Sequence, residues 1–211
     1  MNTPVPYRIG DQVHCADGEC EPLDRVVIDP VAGRATHLVV AGRLVPVDLV
    51  EPVEVGDGLR LRCTRAAVER LDPAEETYYL PAGAGLAGYA PEETLLLPYY
   101  GLGAGGAGLT PSLLLPDGSP ALEVRERIPA GEVQIRHGDR VEAMDGAVGR
   151  VQGLVVDPRD HGVTHVLLQE GHLWGRKTVA IPLRETEWRG GQVNVRLSKA
   201  ELAELPAVEL R

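Results

Sequence analysis

The amino-acid sequence predicts a mainly β protein made of two small barrels, each ending in a short helix and joined by a Gly/Pro-rich linker. Three observations predict it. The chain repeats itself at an offset of 128, so that Val5–Val40 aligns without a gap on Val133–Leu168. Both copies read as short apolar or alternating runs bounded by Asp-Gly, Asp-Pro and Gly turn signals. Helix signals occur only near the end of each copy.

Within the aligned stretch 12 of 36 positions are identical, where chance gives about two or three. They include Gly10/Gly138, Asp17/Asp145, Gly18/Gly146, Asp29/Asp157, Pro30/Pro158, Thr36/Thr164 and His37/His165. The match resumes at Leu44-Val45-Pro46-Val47 against Ala180-Ile181-Pro182-Leu183, after an insertion in copy two around His172-Leu173-Trp174-Gly175-Arg176-Lys177. Each copy then closes on a strand, Leu59-Arg60-Leu61-Arg62 or Val193-Asn194-Val195-Arg196. A helix of about two turns follows, with a capping box at Ser198-Lys199-Ala200-Glu201 and Thr64 in the matching place of copy one. Closing short strands into barrels removes exposed sheet edges. The domains expected are 1–71, a linker over 72–131, and 132–211.

Composition narrows the function classes. With 21 Lys+Arg against 31 Asp+Glu the net charge is −10, so binding to phosphate backbones by bulk electrostatics is disfavoured. Two Trp, six Tyr and no Phe leave few platforms for base stacking. The 25 Gly and 17 Pro make about a fifth of the chain against an average of roughly 12%, which predicts much loop. The first residues, Met1-Asn2-Thr3-Pro4-Val5-Pro6, carry no secretory signal, and a cytoplasmic location is expected.

The linker has no Lys or Arg from Leu71 through Val124, and Thr94 to Pro116 is uncharged. A transmembrane helix is not expected there, because Pro98, Pro111 and the run Gly101-Leu102-Gly103-Ala104-Gly105-Gly106-Ala107-Gly108 oppose helix. A flexible connector whose Leu95-Leu96-Leu97 and Leu113-Leu114-Leu115 dock on a barrel is the expectation.

Copy two runs Gly138-Asp139-Arg140-Val141, Asp145-Gly146-Ala147-Val148-Gly149-Arg150-Val151, Leu154-Val155-Val156-Asp157-Pro158, Thr164-His165-Val166-Leu167-Leu168 and Val179-Ala180-Ile181-Pro182. In this order it resembles the PRC-barrel family, and copy one resembles a more diverged member. That family includes the cytoplasmic domain of the photosynthetic reaction-centre H subunit and the C-terminal domain of a ribosome-maturation factor. The two copies cover about two-thirds of the chain, with neither the membrane helix of the one nor the N-terminal domain of the other expected here. The resemblance implies a protein-interaction barrel.

The candidate residues each have a structural alternative. His37 and His165 open equivalent strands, but no second ligand lies at metal spacing, so structural hydrogen bonding is favoured over a site. His161, His165 and His172 are a looser cluster around a turn. Cys15, Cys20 and Cys63 all lie in copy one, where copy two has Ala143, Val148 and Leu197. A two-residue Asp17-Gly18 hairpin turn would place Cys15 opposite Cys20, in reach of a disulfide or a redox switch, though cytoplasmic thiols stay reduced. Trp174 with His172, Arg176 and Lys177 sits at an expected hairpin tip and supplies the contact residues of choice, since Trp and Arg are enriched at binding hot spots, although Trp174 folding back to close one end of its barrel is the weightier reading for that side chain. No G-x-S-x-G, P-loop or H-E-x-x-H occurs, so no catalytic residue, metal or cofactor is expected.

Leu38-Val39-Val40 and Val166-Leu167-Leu168 are apolar on both faces, so their outer faces need cover, from the other copy, the linker or a second chain. The favoured function is a non-enzymatic interaction or scaffold module, binding another protein or itself as a homodimer. The alternatives are a ribosome-assembly or RNA-associated factor, and a metal- or redox-dependent enzyme.

Overall fold

A computed structural model describes residues 4–51, 58–79, 122–170, 177–189 and 192–208. The chain divides into two compact units, Met1–Ala74 with Ile128–Arg211, and Glu75–Arg127. Copy one supplies β1 (Val5–Arg8), β2 (Val13–Cys15), β3 (Gly18–Glu19), β4 (Leu23–Asp29), β5 (Arg34–Val40), β6 (Arg43–Pro46), β7 (Leu59–Arg60) and α1 (Arg65–Val68). The second unit contains a hairpin of β8 (Glu75–Tyr79) and β9 (Leu122–Glu126). Copy two supplies β10 (Val133–Arg136), β11 (Arg140–Ala143), β12 (Gly146–Val156), β13 (Val163–Glu170), β14 (Thr178–Pro182), β15 (Thr186–Arg189), β16 (Gln192–Val195) and α2 (Lys199–Glu204).

The fold is mainly β, as the turn-punctuated apolar runs predict. Its sheets are open, and no closed barrel is found among the described strands. The strand order of the largest sheet is β14-β13-β12-β11-β16-β15, with β1 also on β12. A second sheet runs β10-β4-β5-β6 and a third β3-β2-β7. The two self-contained barrels expected from the repeat are replaced by an exchange. Strand β1 of copy one pairs with β12 of copy two, Val5 opposite Val156 and Arg8 opposite Gly153. Reciprocally, β10 of copy two pairs with β4 of copy one, Val133 opposite Ile28 and Arg136 opposite Arg25. A copy that gives away its first strand does not close on itself.

The exchange has a two-fold character. Arg34 and Gly162, aligned in the repeat, bridge each other. On either side Ala35 N donates to His161 O at 2.9 Å and Val163 N donates to Gly33 O at 2.8 Å. After its exchanged strand the chain returns to its own copy, Gly10 N donating to Leu23 O at 2.7 Å and Gly138 N to Val151 O at 2.9 Å. Both glycines have left-handed backbones, φ 102° and 85°, which explains why both copies keep Gly there. Bulges recur in register as well, between Leu23/Arg25 and Val27/Ile28 in β4 and between Val151/Gly153 and Val155/Val156 in β12.

The repeated polar residues serve this frame. Asp17 Oδ1 accepts from Arg65 N and Asp145 Oδ1 from Lys199 N, both at 2.9 Å, so each turn carboxylate stabilises the N-terminus of the helix that closes its copy. The expected capping box on α2 is present, Ser198 and Glu201 bonding reciprocally. Asp29 accepts from the amides of Val31 and Ala32, and Asp157 from that of Arg159, which explains both Asp-Pro turns.

One core cluster draws on both copies, with Leu38, Ile135, Leu154, Leu168, Ile181 and Leu202 fully buried in it. Tyr7 and Ile135, from the two exchanged strands, belong to it. The outer face of β4 and β5 has its own cover. Val27, Val39 and Leu44 pack with Ala74 and the partly buried Ile128, the residues that flank the second unit in the chain. The leucines at 95–97 and 113–115, expected to dock on a barrel, lie outside the described residues.

Gly153 is the tightest point of the exchange. A Cβ there would lie 2.2 Å from Tyr7 O and 2.9 Å from Arg8 Cα. We therefore expect Gly153→Ala to destabilise the protein by about 1–3 kcal/mol, because backbone cannot yield as a side chain does. Urea unfolding checks this, and wild-type stability in the variant would contradict the close seating of β1.

Candidate functional site

Since the repeated residues are occupied by the frame, the candidates for function are those that differ between the copies, and the histidines show how the two kinds separate. Thr164 Oγ1 donates to Val155 O at 3.1 Å, satisfying a carbonyl at the bulge of β12. Thr36 Oγ1 lies 3.3 Å from the equivalent Val27 O. Each neighbouring histidine then bonds its threonine, His37 Nδ1 to Thr36 Oγ1 and His165 Nδ1 to Thr164 Oγ1, both at 3.1 Å. In copy two the Thr-His pair is thus a bulge fastener. Burial, with the Arg184 charge in support, holds the His165 imidazole below its ordinary pKa and so neutral.

Copy one adds Glu132 to this arrangement. The Thr36 hydroxyl donates to Glu132 Oε2 at 2.5 Å, and His37 Nδ1 stands 3.8 Å from the same oxygen. Glu132 immediately precedes β10, so the contact ties the exchanged strand to β5.

His161 occupies the place of Gly33 and adopts the same left-handed backbone, φ 58° against 65°. Its Nε2 lies 3.4 Å from Asp48 Oδ1, while its buried Nδ1 has no hydrogen-bond partner among the described residues. Such an orphan costs on the order of 1–3 kcal/mol. Besides its place in the loose cluster with His165 and His172, the sequence marks His161 by its departure from glycine in the repeat. Among the described residues no group of three or more His, Cys, Asp or Glu side chains is placed to hold a metal ion.

The cysteine register differs from expectation. The hairpin turn is Ala16-Asp17, so Cys15 pairs with Gly18 and His14 with Glu19. The bond from Asp17 to Arg65 N holds the aspartate at the turn, and Gly18 supplies the positive φ of 139° that follows it. Cys20 falls beyond β3, its N donating to Val13 O at 2.8 Å. The thiols nevertheless converge. Cys15 and Cys20 share a side-chain hydrogen bond, Cys63 O accepts from Ala16 N at 3.0 Å, and all three cysteines are free. Burial, then the hydrogen bond to Cys20 and the negative potential of its neighbours, pushes the Cys15 thiol up to about 12. Burial also raises Cys63. A neutral thiol is a poor nucleophile, so the cluster as it stands suits packing.

Of the expected contact residues, Lys177 is described and turned inward. Its Nζ donates to Ala203 O at 3.1 Å and to Leu205 O, capping the C-terminal carbonyls of α2. His172, Trp174 and Arg176 lie outside the described residues.

Residues of both copies line a cavity of about 490 Å³ that includes Ile9, Leu23, Glu21, Asp24, Ala41 and His137. Exposed carboxylates at Glu21 and Asp24 line it, where copy two has Gly149 and Gln152. His137, from copy two, bonds Gln152 Oε1 at 3.2 Å. Its lining thus combines the buried Ile9 and Leu23 with the exposed Glu21 and with Asp24, which Arg25 Nε bonds at 2.7 Å. Sequence reasoning missed it because Glu21 and Asp24 flank Pro22 in what reads as an ordinary turn.

The chain matches no protein-family model, and a search of curated proteins finds no match. No helix among the described residues is long and apolar enough to cross a membrane.

The thiol cluster gives a prediction. A thiol whose folded pKa is raised contributes stability in full below its unfolded value of 9.0, and loses it as pH rises toward about 12. Tyr7, raised by burial from 10.0 to about 12, acts in the same direction. Replacing Cys15, Cys20 and Cys63 with the copy-two residues Ala, Val and Leu should cost less than about 1.5 kcal/mol at neutral pH. It should also make the fall in stability above pH 9 shallower, leaving the share due to Tyr7. Denaturant melts across the alkaline range test this, and a slope equal to that of the wild type would refute it.

Proposed function

We propose that the protein is a tandem PRC-barrel-like scaffold that holds another protein without catalysing a reaction. The resemblance of both copies to that family supports the reading, as does the use of the repeated residues in the frame itself. The observation that carries it is the cavity lined by Ile9 and Leu23 together with the exposed carboxylate of Glu21. That combination suits the aliphatic stem and cationic head of an arginine or lysine on a partner protein. The inserted segment of copy two, with Trp174, is the second contact region of this reading.

Full-length protein used as bait in native lysate, beside Glu21→Gln and Trp174→Ala, tests the proposal. Both variants should lose about tenfold in partner retention, equivalent to ~1.4 kcal/mol each, while melting as the wild type does. Retention by the wild type should also weaken with salt. Undiminished capture by the Glu21→Gln variant would remove the cavity from the proposal. Equal recovery of ribosomal proteins by all three baits would favour an assembly factor instead.

A further inference from the structure

We propose that this chain also takes a second copy of itself as a partner, by exchanging whole copies. In such an assembly copy one of each chain completes copy two of the other. The inference is independent of the cavity and of any protein bound there.

The surfaces needed are already made. Within one chain β1 seats on β12 and β10 on β4 in equivalent registers, and Arg34 meets Gly162 across the local two-fold. An interface in which equivalent residues meet reciprocally is the isologous kind that closes symmetric dimers. Here it joins two segments of one chain, and the polypeptide between them runs through a separate compact unit, Glu75–Arg127. No element of the interface requires that its two halves share a polypeptide. An exchanged pair reproduces every strand pairing and the whole core, so the two forms differ only in how their connectors run.

Mass action decides which forms. Tethering gives the two copies an effective concentration on the order of millimolar, which favours pairing within a chain in dilute solution. Exchange gains where chains fold close together, and its product persists on dilution because separation requires opening the shared core. Exchange also gains wherever pairing within the chain is impaired, and this makes it testable.

Two full-length variants, each damaged in a different copy, separate the alternatives. Gly153→Val blocks the seat for β1 in copy two, and Leu38→Asp places a charge at a fully buried position of copy one. Each alone should lose the wild-type melting transition. Refolded together, they should form a two-chain species in which the sound copy one of the first meets the sound copy two of the second. Up to half of the material should then regain the wild-type melting temperature. A mixture that behaves as the sum of its parts, with one chain per particle by light scattering, would overturn the proposal. Wild-type chains carrying two different tags give an independent reading that needs no damaged protein. Mixed-tag dimers should increase with refolding concentration and survive dilution, whereas monomers alone at every concentration would overturn the inference.

Discussion

The reciprocal loan of first strands is the constraint on which the rest of this structure depends. Each loaned strand runs antiparallel to a long strand of the other copy and brings a core residue with it, Tyr7 in one direction and Ile135 in the other. A side chain buried in a shared cluster contributes only while both copies are in place, so neither copy holds its full core alone. Cooperativity between the copies follows directly. The repeated glycines, aspartates and threonines appear as consequences of that arrangement: they turn the chain from its loaned strand, fasten the closing helix and satisfy the carbonyls that bulges leave unpaired.

The class of fold was legible in the sequence because the signals involved are local. Gly10 and Gly138 mark left-handed turns, Asp29 and Asp157 close side-chain turns, and Ser198 with Glu201 forms a capping box, each decided within a few residues. Partner choice between strands is not local. The pattern Val5-Pro6-Tyr7-Arg8 specifies a strand with one buried face, and nothing in it distinguishes β12 from β4 as neighbour. The hairpin at Cys15 failed for a related reason. Its strands pair Cys15 with Gly18 around an Ala16-Asp17 turn, and an Asp-Gly dipeptide alone does not choose between that turn and the one a residue further on.

The candidate sites divide along the same line. The apolar neighbours of His37 and His165 favour a structural reading, and in both copies the imidazole bonds the preceding threonine. The acidic cavity was not readable, because His137 reaches it from the other copy and adjacency across the exchange has no footprint in the spacing of residues. Lys177 shows the opposite error. Its position beside Trp174 suggested a contact surface, whereas its amine is committed to the carbonyls at the end of α2.

Divergence has made the two seats for exchanged strands chemically unlike. At the seat for β1 the backbone of Tyr7 comes so close that only a residue without Cβ fits, and copy two has Gly153. At the equivalent point in copy one stands Arg25, largely buried, its guanidinium bonding Asp24 at 2.7 Å and Gln134 of β10 at 2.9 Å. One seat thus selects its strand by the absence of a side chain, the other by a hydrogen bond to a particular glutamine. Copy one placed against a second copy one would meet Arg25 where β1 needs Gly153. Pairing of unlike copies is therefore built into the seats themselves, whether the two belong to one chain or to two.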